Sequence, residues 1–180
     1  MTRFSKLAEE GLYRGPVISL ARGRFAGPEG ELFERDVVHH PGAVSVVPVV
    51  EDGAAALLVV QYRAAVDAEL LEIPAGKRDV DGEEPVATAR RELEEEVGRR
   101  AGRMELLARF YNSPGFCDED SWVFLALDLE ACEASAQGLE ERHMVVRTVT
   151  LDDVPGMIAR QEIRDAKTII GLTLARERLA

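Results

Sequence analysis

The stretch from Gly76 to Gly98, GKRDVDGEEPVATARRELEEEVG, constrains the fold of this chain more than any other. It begins in a turn and continues into a sequence that favours a short helix. On a helical wheel Glu96 lies about 40° to one side of Glu92 and Glu95 about 60° to the other, so three carboxylates share one face. An apolar stripe runs beside them, formed by Val86, Ala89, Leu93 and Val97. The spacing of that stripe predicts that the helix packs on a core.

Clustered carboxylates on a helix that packs against a core repel one another unless a positive charge lies among them. Ligand sets made only of oxygen suit a hard divalent ion such as Mg²⁺ or Mn²⁺, and Mg²⁺ commonly holds phosphates in addition to one or two carboxylates. The alternative is a solvated acidic face that Arg90 and Arg91 neutralise. The apolar stripe and the preceding turn favour the metal site.

The same stretch resembles the Nudix box, G-x5-E-x7-R-E-U-x-E-E-x-G-U, where U is a bulky apolar residue. The positions in register are Glu83, Arg91, Glu92, Leu93, Glu95, Glu96 and Gly98. Two features depart from the pattern: the segment from Gly76 to Glu83 is one residue longer, and Arg99 occupies the final apolar position. A match at this many positions is far more specific than a lone glycine-rich motif.

The resemblance to ADP-ribose pyrophosphatases of the Nudix superfamily covers most of the chain. The segments that carry it are RGPVISLARGRF, HHPGAVSVVPV, VVQYR, LLEIPAGK, YNSPGFCDE and QEIRDAKTII. Pro114, which follows the box along the chain, is the feature most associated with that subfamily. By itself the Pro114-Gly115 pair indicates only a tight turn.

Strands that flank the box helix and helices at the C-terminus predict a mixed sheet with helices on its faces. The predicted strands span residues 15–25, 31–38, 42–50, 54–62, 104–111, 121–129 and 144–150, after a loosely structured start at 1–12. Asp152 is predicted to cap a short helix, and residues 164–179 to form a final helix. The resemblance implies the α/β Nudix fold, an α/β/α sandwich. We expect an N-terminal antiparallel β hairpin subdomain over residues 1–40 and a Nudix hydrolase domain over 41–180.

The resemblance also implies a ligand set for Mg²⁺, or alternatively Mn²⁺, with two or more ions bound. The implied ligands are the backbone carbonyl of Ala75 and the side chains of Glu83, Glu92, Glu95 and Glu96. Arg91 would orient these carboxylates. Glu83 would help to hold Arg91, and Glu95 would share or bridge a second ion.

The general base is predicted on the loop that follows Pro114, where Glu119 matches similar enzymes best. Asp118 and Asp120 flank it, and each is also interpretable as a solvated loop acid. Glu95 is the rival base inside the box. A carboxylate beside metal-bound water needs only modest basicity, because the metal already acidifies the water.

Further residues are predicted to meet the substrate, two of them as alternatives for one role. Arg63 would reach the diphosphate or the terminal ribose, and Glu72 would touch substrate or orient Arg63. Phe25 or Tyr13 would stack on adenine, which needs only a flat apolar face. Pro114 would set its loop over the substrate. Without the resemblance, Arg63 is equally a surface arginine, and both aromatic residues are equally core residues of the N-terminal piece.

Composition limits the possible partners. The net charge of −11 and the isoelectric point near 4.8 argue against nucleic acid and anionic membranes as ligands. The two cysteines suggest no disulfide framework, and His39 and His40 are interpreted as ordinary histidines of a loop or strand end. No apolar run reaches membrane-spanning length and no hydrophobic signal core stands at the N-terminus, so we expect a cytoplasmic location.

We therefore predict Mg²⁺-dependent hydrolysis of the diphosphate bond of ADP-ribose, which gives AMP and ribose 5-phosphate. The alternatives are hydrolysis of another nucleotide sugar such as GDP-mannose and a non-catalytic Nudix domain that senses ADP-ribose. Non-catalytic domains of this kind usually lose acids of the box, whereas here all three glutamates of its helix are present. In similar enzymes the N-terminal strands cross to a second subunit, so the resemblance implies a homodimer.

Overall fold

The chain divides into two compact units. The computed structural model describes residues 3–135, 138–139 and 141–180. One unit comprises Met1–Gly42 and Tyr111–Asp120, and the other comprises Ala43–Phe110 and Ser121–Ala180.

The first unit contains a three-stranded antiparallel sheet in the order β1-β2-β3. Its strands are β1 (Ser5–Arg14), β2 (Ser19–Ala26) and β3 (Leu32–His39). The predicted hairpin corresponds to β2 and β3, but the prediction of a loosely structured start was wrong, because β1 pairs with β2 along its length. All ten residues of β1 are exposed. A strand without a buried face lacks the alternation of apolar and polar residues by which strands are recognised.

The second unit is built on a mixed sheet with the order β10-β5-β4-β9-β8, in which β6 also pairs with β5 and β7 with β4. The strands are β4 (Ala43–Val50), β5 (Ala55–Arg63), β6 (Ala68–Glu72), β7 (Ala75–Lys77), β8 (Arg99–Tyr111), β9 (Asp120–Ala131) and β10 (Val145–Thr150). The predicted strand at 42–50 is β4, and it lies in the middle of the sheet, parallel to β9 and antiparallel to β5.

Helices cover both faces of this sheet. They are α1 (Pro85–Val97), α2 (Val154–Ala159) and α3 (Ala166–Leu179), with short 3-10 turns at Glu51–Gly53, Glu141–His143 and Leu151–Asp153. Alternate residues of β4 enter two different cores, because successive side chains of a strand point to opposite faces. Val46 lies in the same core as Leu93 of α1, and Val47 lies in the same core as Leu172 of α3. The predicted α/β/α sandwich with a mixed sheet is confirmed.

Local residues determine most of the helix ends. Pro85 occupies the first turn of α1, and Gly98 ends the helix in the left-handed conformation at φ 62°, which favours glycine. Asp152 is not the predicted cap: it lies inside a 3-10 turn, and α2 begins at Val154 without a side-chain cap. Asp165 does cap α3, since its carboxylate accepts a hydrogen bond from the Thr168 amide at 2.9 Å. No helix among the described residues is long and apolar enough to cross a membrane.

Candidate active site

The glycine that opens the box lies directly against a carboxylate of the box helix. An ideal β-carbon on Gly76 would stand 1.9 Å from Cδ of Glu92 and 2.2 and 2.3 Å from its two carboxylate oxygens. These distances are far below any van der Waals contact, so a side chain at position 76 would displace the carboxylate. The pairing of β7 with β4 and the packing of α1 on β4 bring the two residues together.

Glu92 and Glu96 both have raised pKa values. Burial raises the pKa of Glu92 to about 7, and the neighbouring charge of Glu95 adds to the effect while Arg91 opposes it. Burial raises the pKa of Glu96 to about 8, with the charges of Glu92 and Glu141 acting in the same direction. The hydrogen bond from the Ala75 amide to Glu96 Oε2, at 3.0 Å, and the charge of Arg63 act in the opposite direction and favour the ionised form of Glu96.

Arg91 is the cation of this cluster. Its Nη1 lies 2.7 Å from Glu92 Oε1 and 3.3 Å from Glu95 Oε2, and its Nη2 lies 3.5 Å from Glu83 Oε2. Glu83 Oε2 also accepts a hydrogen bond from the buried Thr88 hydroxyl at 2.9 Å. The predicted contacts of Arg91 with the carboxylates are therefore present.

The donor set fits a hard divalent cation. Oxygen atoms of Glu83, Glu92 and Glu95 surround Arg91, and Ala75 lies against Glu96. Glu92 is buried and Glu96 is partly buried, and two such carboxylates with raised pKa values are an environment in which a bound cation would replace protons. In residues 3–135, 138–139 and 141–180, however, no three His, Cys, Asp or Glu side chains are already arranged to hold an ion. The individual ligand roles thus stay predictions.

Arg63 and Glu72 form a two-pronged ion pair. Arg63 donates from Nε to Oε1 of Glu72 at 2.8 Å and from Nη2 to Oε2 at 2.7 Å. Glu72 is buried, with 1% of its side chain exposed, whereas 37% of the Arg63 side chain is exposed. Burial opposes the ionisation of Glu72, but Arg63 and Lys167 together hold its pKa below the ordinary value. The predicted role of Glu72 in orienting Arg63 agrees with this contact.

The first turn of α3 completes this ion pair, and sequence reasoning missed it. Lys167 forms ion pairs with Glu72 Oε2 and, at 3.0 Å, with Asp165 Oδ1. The buried Thr168 hydroxyl accepts a hydrogen bond from the Ile73 amide at 2.9 Å. A signal was available, because a lysine in the first turn of a helix opposes the helix dipole and therefore needs a nearby anion.

Glu141 is a second residue that sequence reasoning missed. Its charge raises the pKa values of both Glu92 and Glu96, so its carboxylate lies within electrostatic reach of the box. Glu141 Oε2 also accepts a hydrogen bond from the Gly138 amide at 2.9 Å. The sequence around it shows no motif that marks Glu141 as functional, and positions 136, 137 and 140 of this segment lie outside the described residues.

The loop that carries Pro114 and Glu119 is fixed to the end of β3 within the first unit. The Val38 amide donates to the Phe116 carbonyl at 2.7 Å, and the Asp118 amide donates to the Val38 carbonyl at 3.1 Å. His39 Nδ1 lies 2.5 Å from Asp118 Oδ2, and its Nε2 lies 3.1 Å from Glu9 Oε1. The Asp118 hydrogen bond, with help from Glu9, raises the pKa of His39 against the opposing effect of burial. His39 is thus a strand-end histidine with two acidic partners.

The two predicted stacking residues differ in their surroundings. Phe25 stacks on Phe33, with ring centroids 5.4 Å apart and planes 19° from parallel. Tyr13 is exposed and lines an open cavity of about 440 Å³ in the first unit. Either ring is consistent with the predicted role. Trp122 is partly buried against the core that contains Leu93, and Arg109 lies over its ring at 4.5 Å.

Known proteins match this chain over most of its length. Residues 39–170 match the family described as NUDIX domain. The ADP-ribose pyrophosphatase of Bacillus subtilis (strain 168) is 41% identical over 162 residues, which cover 90% of this chain and 86% of that protein. The chain belongs to the Nudix family. It is a Nudix hydrolase, and hydrolases of this family generally need a divalent metal ion.

Two further comparisons extend the match. The methanol dehydrogenase activator of Bacillus methanolicus is 38% identical over 164 residues, covering 91% of this chain and 87% of that protein. A solved structure titled "Crystal structure of ADP compounds hydrolase" superposes with a TM-score of 0.85 at 21% identity and covers 98% of this chain and 94% of that one. At that identity the structural match supports the fold alone.

Proposed function

We propose that this Nudix hydrolase cleaves the diphosphate bond of ADP-ribose, with Mg²⁺, to AMP and ribose 5-phosphate. The observation that carries the proposal is the position of Arg63. Its guanidinium is partly exposed, and its charge interacts with that of Glu96, a carboxylate of the box. An anion-binding side chain next to a metal-binding carboxylate suits a metal-bound diphosphate. The B. subtilis relative, named for this activity, supports ADP-ribose as the substrate.

The metal would be held by the Ala75 carbonyl and by Glu83, Glu92, Glu95 and Glu96. When bound, a divalent ion neutralises charge that develops on the diphosphate and acidifies a water molecule. Two raised pKa values support Glu92 and Glu96 as the central ligands, because a cation relieves the cost of burying both charges. The proposed ion is Mg²⁺, with Mn²⁺ as the alternative, and two or more ions are proposed to bind.

Side chains of the protein are proposed to bind the diphosphate, to orient the carboxylates and to accept a proton. Arg63 binds the diphosphate through the guanidinium edge that Glu72 leaves open. Arg91 keeps Glu92, Glu95 and Glu83 together, as its three ion pairs indicate. A carboxylate then accepts the proton of the attacking water. Glu119 and Glu95 are the candidates from sequence, and Glu141 joins them because its charge acts on both Glu92 and Glu96.

The N-terminal sheet is proposed to mediate a homodimer and to supply the adenine-stacking ring. Every residue of β1 is exposed, including Leu7, Leu12 and Tyr13. Apolar side chains grouped on one strand without cover are typical of a protein interface. Tyr13 and Phe25 are both retained as candidates for the stacking ring.

Turnover of a panel of nucleotides tests the proposal. The panel contains ADP-ribose, GDP-mannose, ADP-glucose, NADH and 8-oxo-dGTP with Mg²⁺, and Glu96→Gln is the control. We expect the highest kcat/KM with ADP-ribose, AMP and ribose 5-phosphate as products, and loss of turnover in the variant. A higher kcat/KM with GDP-mannose would move the assignment to another nucleotide sugar. Binding of ADP-ribose without any turnover would identify a sensor and refute the enzymatic proposal.

A further inference from the structure

The buried carboxylate of Glu72 is paired with two cations, although one would neutralise it. Its Oε1 accepts from Arg63 Nε, and its Oε2 accepts from both Arg63 Nη2 and Lys167 Nζ. Burying a carboxylate is costly unless it is paired, and one arginine in two-pronged geometry already meets that requirement. The second cation therefore calls for an explanation beyond charge neutralisation.

The two cations differ in exposure. Lys167 has 15% of its side chain exposed, whereas Arg63 has 37%. A guanidinium carries five N–H donors in a rigid plane. Because Nε and Nη2 of Arg63 are bound to Glu72, Nη1 is the edge available to an anionic ligand. The orientation of that edge is set by the orientation of the Glu72 carboxylate.

Lys167 is in turn fixed relative to Glu72 by the first turn of α3. Asp165 Oδ1 lies 3.0 Å from Lys167 Nζ, while Asp165 Oδ2 accepts from the amide and hydroxyl of Thr168 at 2.9 and 2.6 Å. The Thr168 hydroxyl accepts from the amide of Ile73, the residue after Glu72, at 2.9 Å. The helix start and the strand end are therefore tied together at two adjacent points.

We propose that Lys167 is a positioning residue for the hydrolytic reaction: it fixes the Glu72 carboxylate, which presents the open edge of Arg63 to the diphosphate of the substrate. This inference rests on the proposed function and adds to it a residue that acts through Glu72. Loss of Lys167 leaves Glu72 Oε2 with one partner fewer, and Arg63 then loses its fixed orientation. The loss falls on substrate binding, because the box carboxylates are unchanged.

The experiment compares Lys167→Met, Lys167→Arg and, as a matched control on the same helix, Arg178→Met. Arg178 pairs with Glu105 on an exposed surface. The Kd of ADP-ribose is measured by calorimetry in EDTA, and kcat and KM are measured with Mg²⁺. We expect Lys167→Met to raise Kd and KM about tenfold, with kcat within about threefold of wild type. Lys167→Arg should restore both constants to within about threefold, and Arg178→Met should change neither.

A double variant separates positioning from direct contact. In the Glu72→Gln background, Lys167→Met should change Kd by less than about threefold, because the residue through which it acts is already altered. An equal tenfold loss in both backgrounds would show that Lys167 contacts the substrate itself and would overturn the proposal. Equal losses in Lys167→Met and Lys167→Arg would also overturn it. Urea unfolding verifies each variant, and Lys167→Gln replaces Lys167→Met if the latter does not fold.

The wild-type chain distinguishes failure of this inference from failure of the proposed function. If it binds ADP-ribose without turnover, the hydrolytic proposal fails, while the Kd values of the variants still decide the role of Lys167. If it turns over ADP-ribose and Lys167→Met keeps wild-type Kd and KM, only the inference fails. If it neither binds nor cleaves ADP-ribose, both are rejected.

Discussion

Gly76 lies so close to Glu92 that a β-carbon at position 76 would stand 1.9 Å from the carboxylate carbon. Gly76→Ala should therefore push the Glu92 carboxylate out of the cluster. Because misplacement of a catalytic group by about 1 Å can cost about 100-fold in rate, we expect a loss of that order in kcat/KM with Mg²⁺. Weaker Mn²⁺ binding, measured by electron paramagnetic resonance, should accompany the loss.

Gly156→Ala is the matched control for this substitution. The new methyl group would meet only the end of the flexible Arg160 side chain, at 3.0 Å from Nη1. Activity and Mn²⁺ binding should both stay at the wild-type level. Wild-type Mn²⁺ affinity in Gly76→Ala would contradict the assignment of Glu92 as a ligand.

The metal-free chain should lose stability as the pH rises. Glu92 and Glu96 have folded-state pKa values of about 7 and about 8 against an ordinary value of 4.5, so the folded chain binds protons more tightly than the unfolded chain. Their contribution to stability is complete below pH 4.5 and is lost as the pH rises through those values. In EDTA the thermal midpoint should fall between pH 5 and pH 8.5, and Glu96→Gln should flatten the fall.

Added Mg²⁺ should reverse this trend, because the cation replaces the protons on the two carboxylates. The increase in thermal midpoint on adding Mg²⁺ should therefore grow with pH over the same interval. Comparing the wild type with Glu96→Gln at each pH removes the contributions of other titrating groups. An increase that is independent of pH would mean that the ion binds elsewhere.

The three candidate bases are separable by single substitutions. We expect Glu141→Gln to give the largest loss in kcat, of about 100-fold or more, as removal of a general base typically does. The reason is that the Glu141 charge acts on both Glu92 and Glu96. Glu119→Gln and Glu95→Gln are measured beside it, with the Kd of ADP-ribose as the binding control. If Glu119→Gln gives the largest loss in kcat at an unchanged Kd of ADP-ribose, then Glu119 on the Pro114 loop is the general base.

Local signals along the sequence predicted the part of the molecule that local chemistry determines. The stretch that ends at Gly98 predicted α1, and the stripe containing Leu93 predicted that this helix packs on a core. A near-continuous apolar run is typical of a strand buried on both faces, and the strand predicted at 42–50 is buried in this way as β4. Each of these features depends on residues within a few positions of one another, so spacing alone reveals them.

Features that depend on distant residues were not predictable in the same way. Lys167 lies 95 positions from Glu72, and Asp118 lies 79 positions from His39. No periodicity or spacing connects such pairs, because the sheet and its connections bring them together. The strand β1 was missed for a different reason, since none of its residues is buried.

The contact between His39 and Asp118 should fix the Pro114 loop at low pH. Its loss at high pH should make the loop more mobile. The pKa of His39 is raised, chiefly by Asp118 and then by Glu9, so the charged contact is complete below the ordinary value of 6.5 and is lost as the pH rises through the raised pKa. Asp118, whose pKa is lowered mainly by His39 and the His40 amide, stays ionised throughout this range. Hydrogen-exchange protection of residues 113–118 should therefore be greater at pH 5.5 than at pH 8.5.

The size of this effect should be a few-fold in protection, because partly exposed ion pairs contribute about 0.2–1 kcal/mol. His39→Gln should remove the pH dependence, whereas His40→Gln, next to it, should retain it. Glu9 contacts both His39 and Lys6. Glu9→Gln is therefore measured as well, to assign the contribution of this second carboxylate to the pH dependence. The same pH dependence in His39→Gln would show that another group fixes the loop.

The exposed strand β1 leads to the final prediction, which concerns assembly. Leu7 and Leu12 are 54% and 44% exposed on the edge strand of the first unit, and burying such side chains stabilises association. Sedimentation should give twice the chain mass of 19.8 kDa. The double substitution Leu7→Lys and Leu12→Lys should yield monomers with reduced turnover if the partner completes the pocket. Leu106→Lys, at a 52% exposed position on β8, should leave the dimer intact, and a monomeric wild type would refute the assembly.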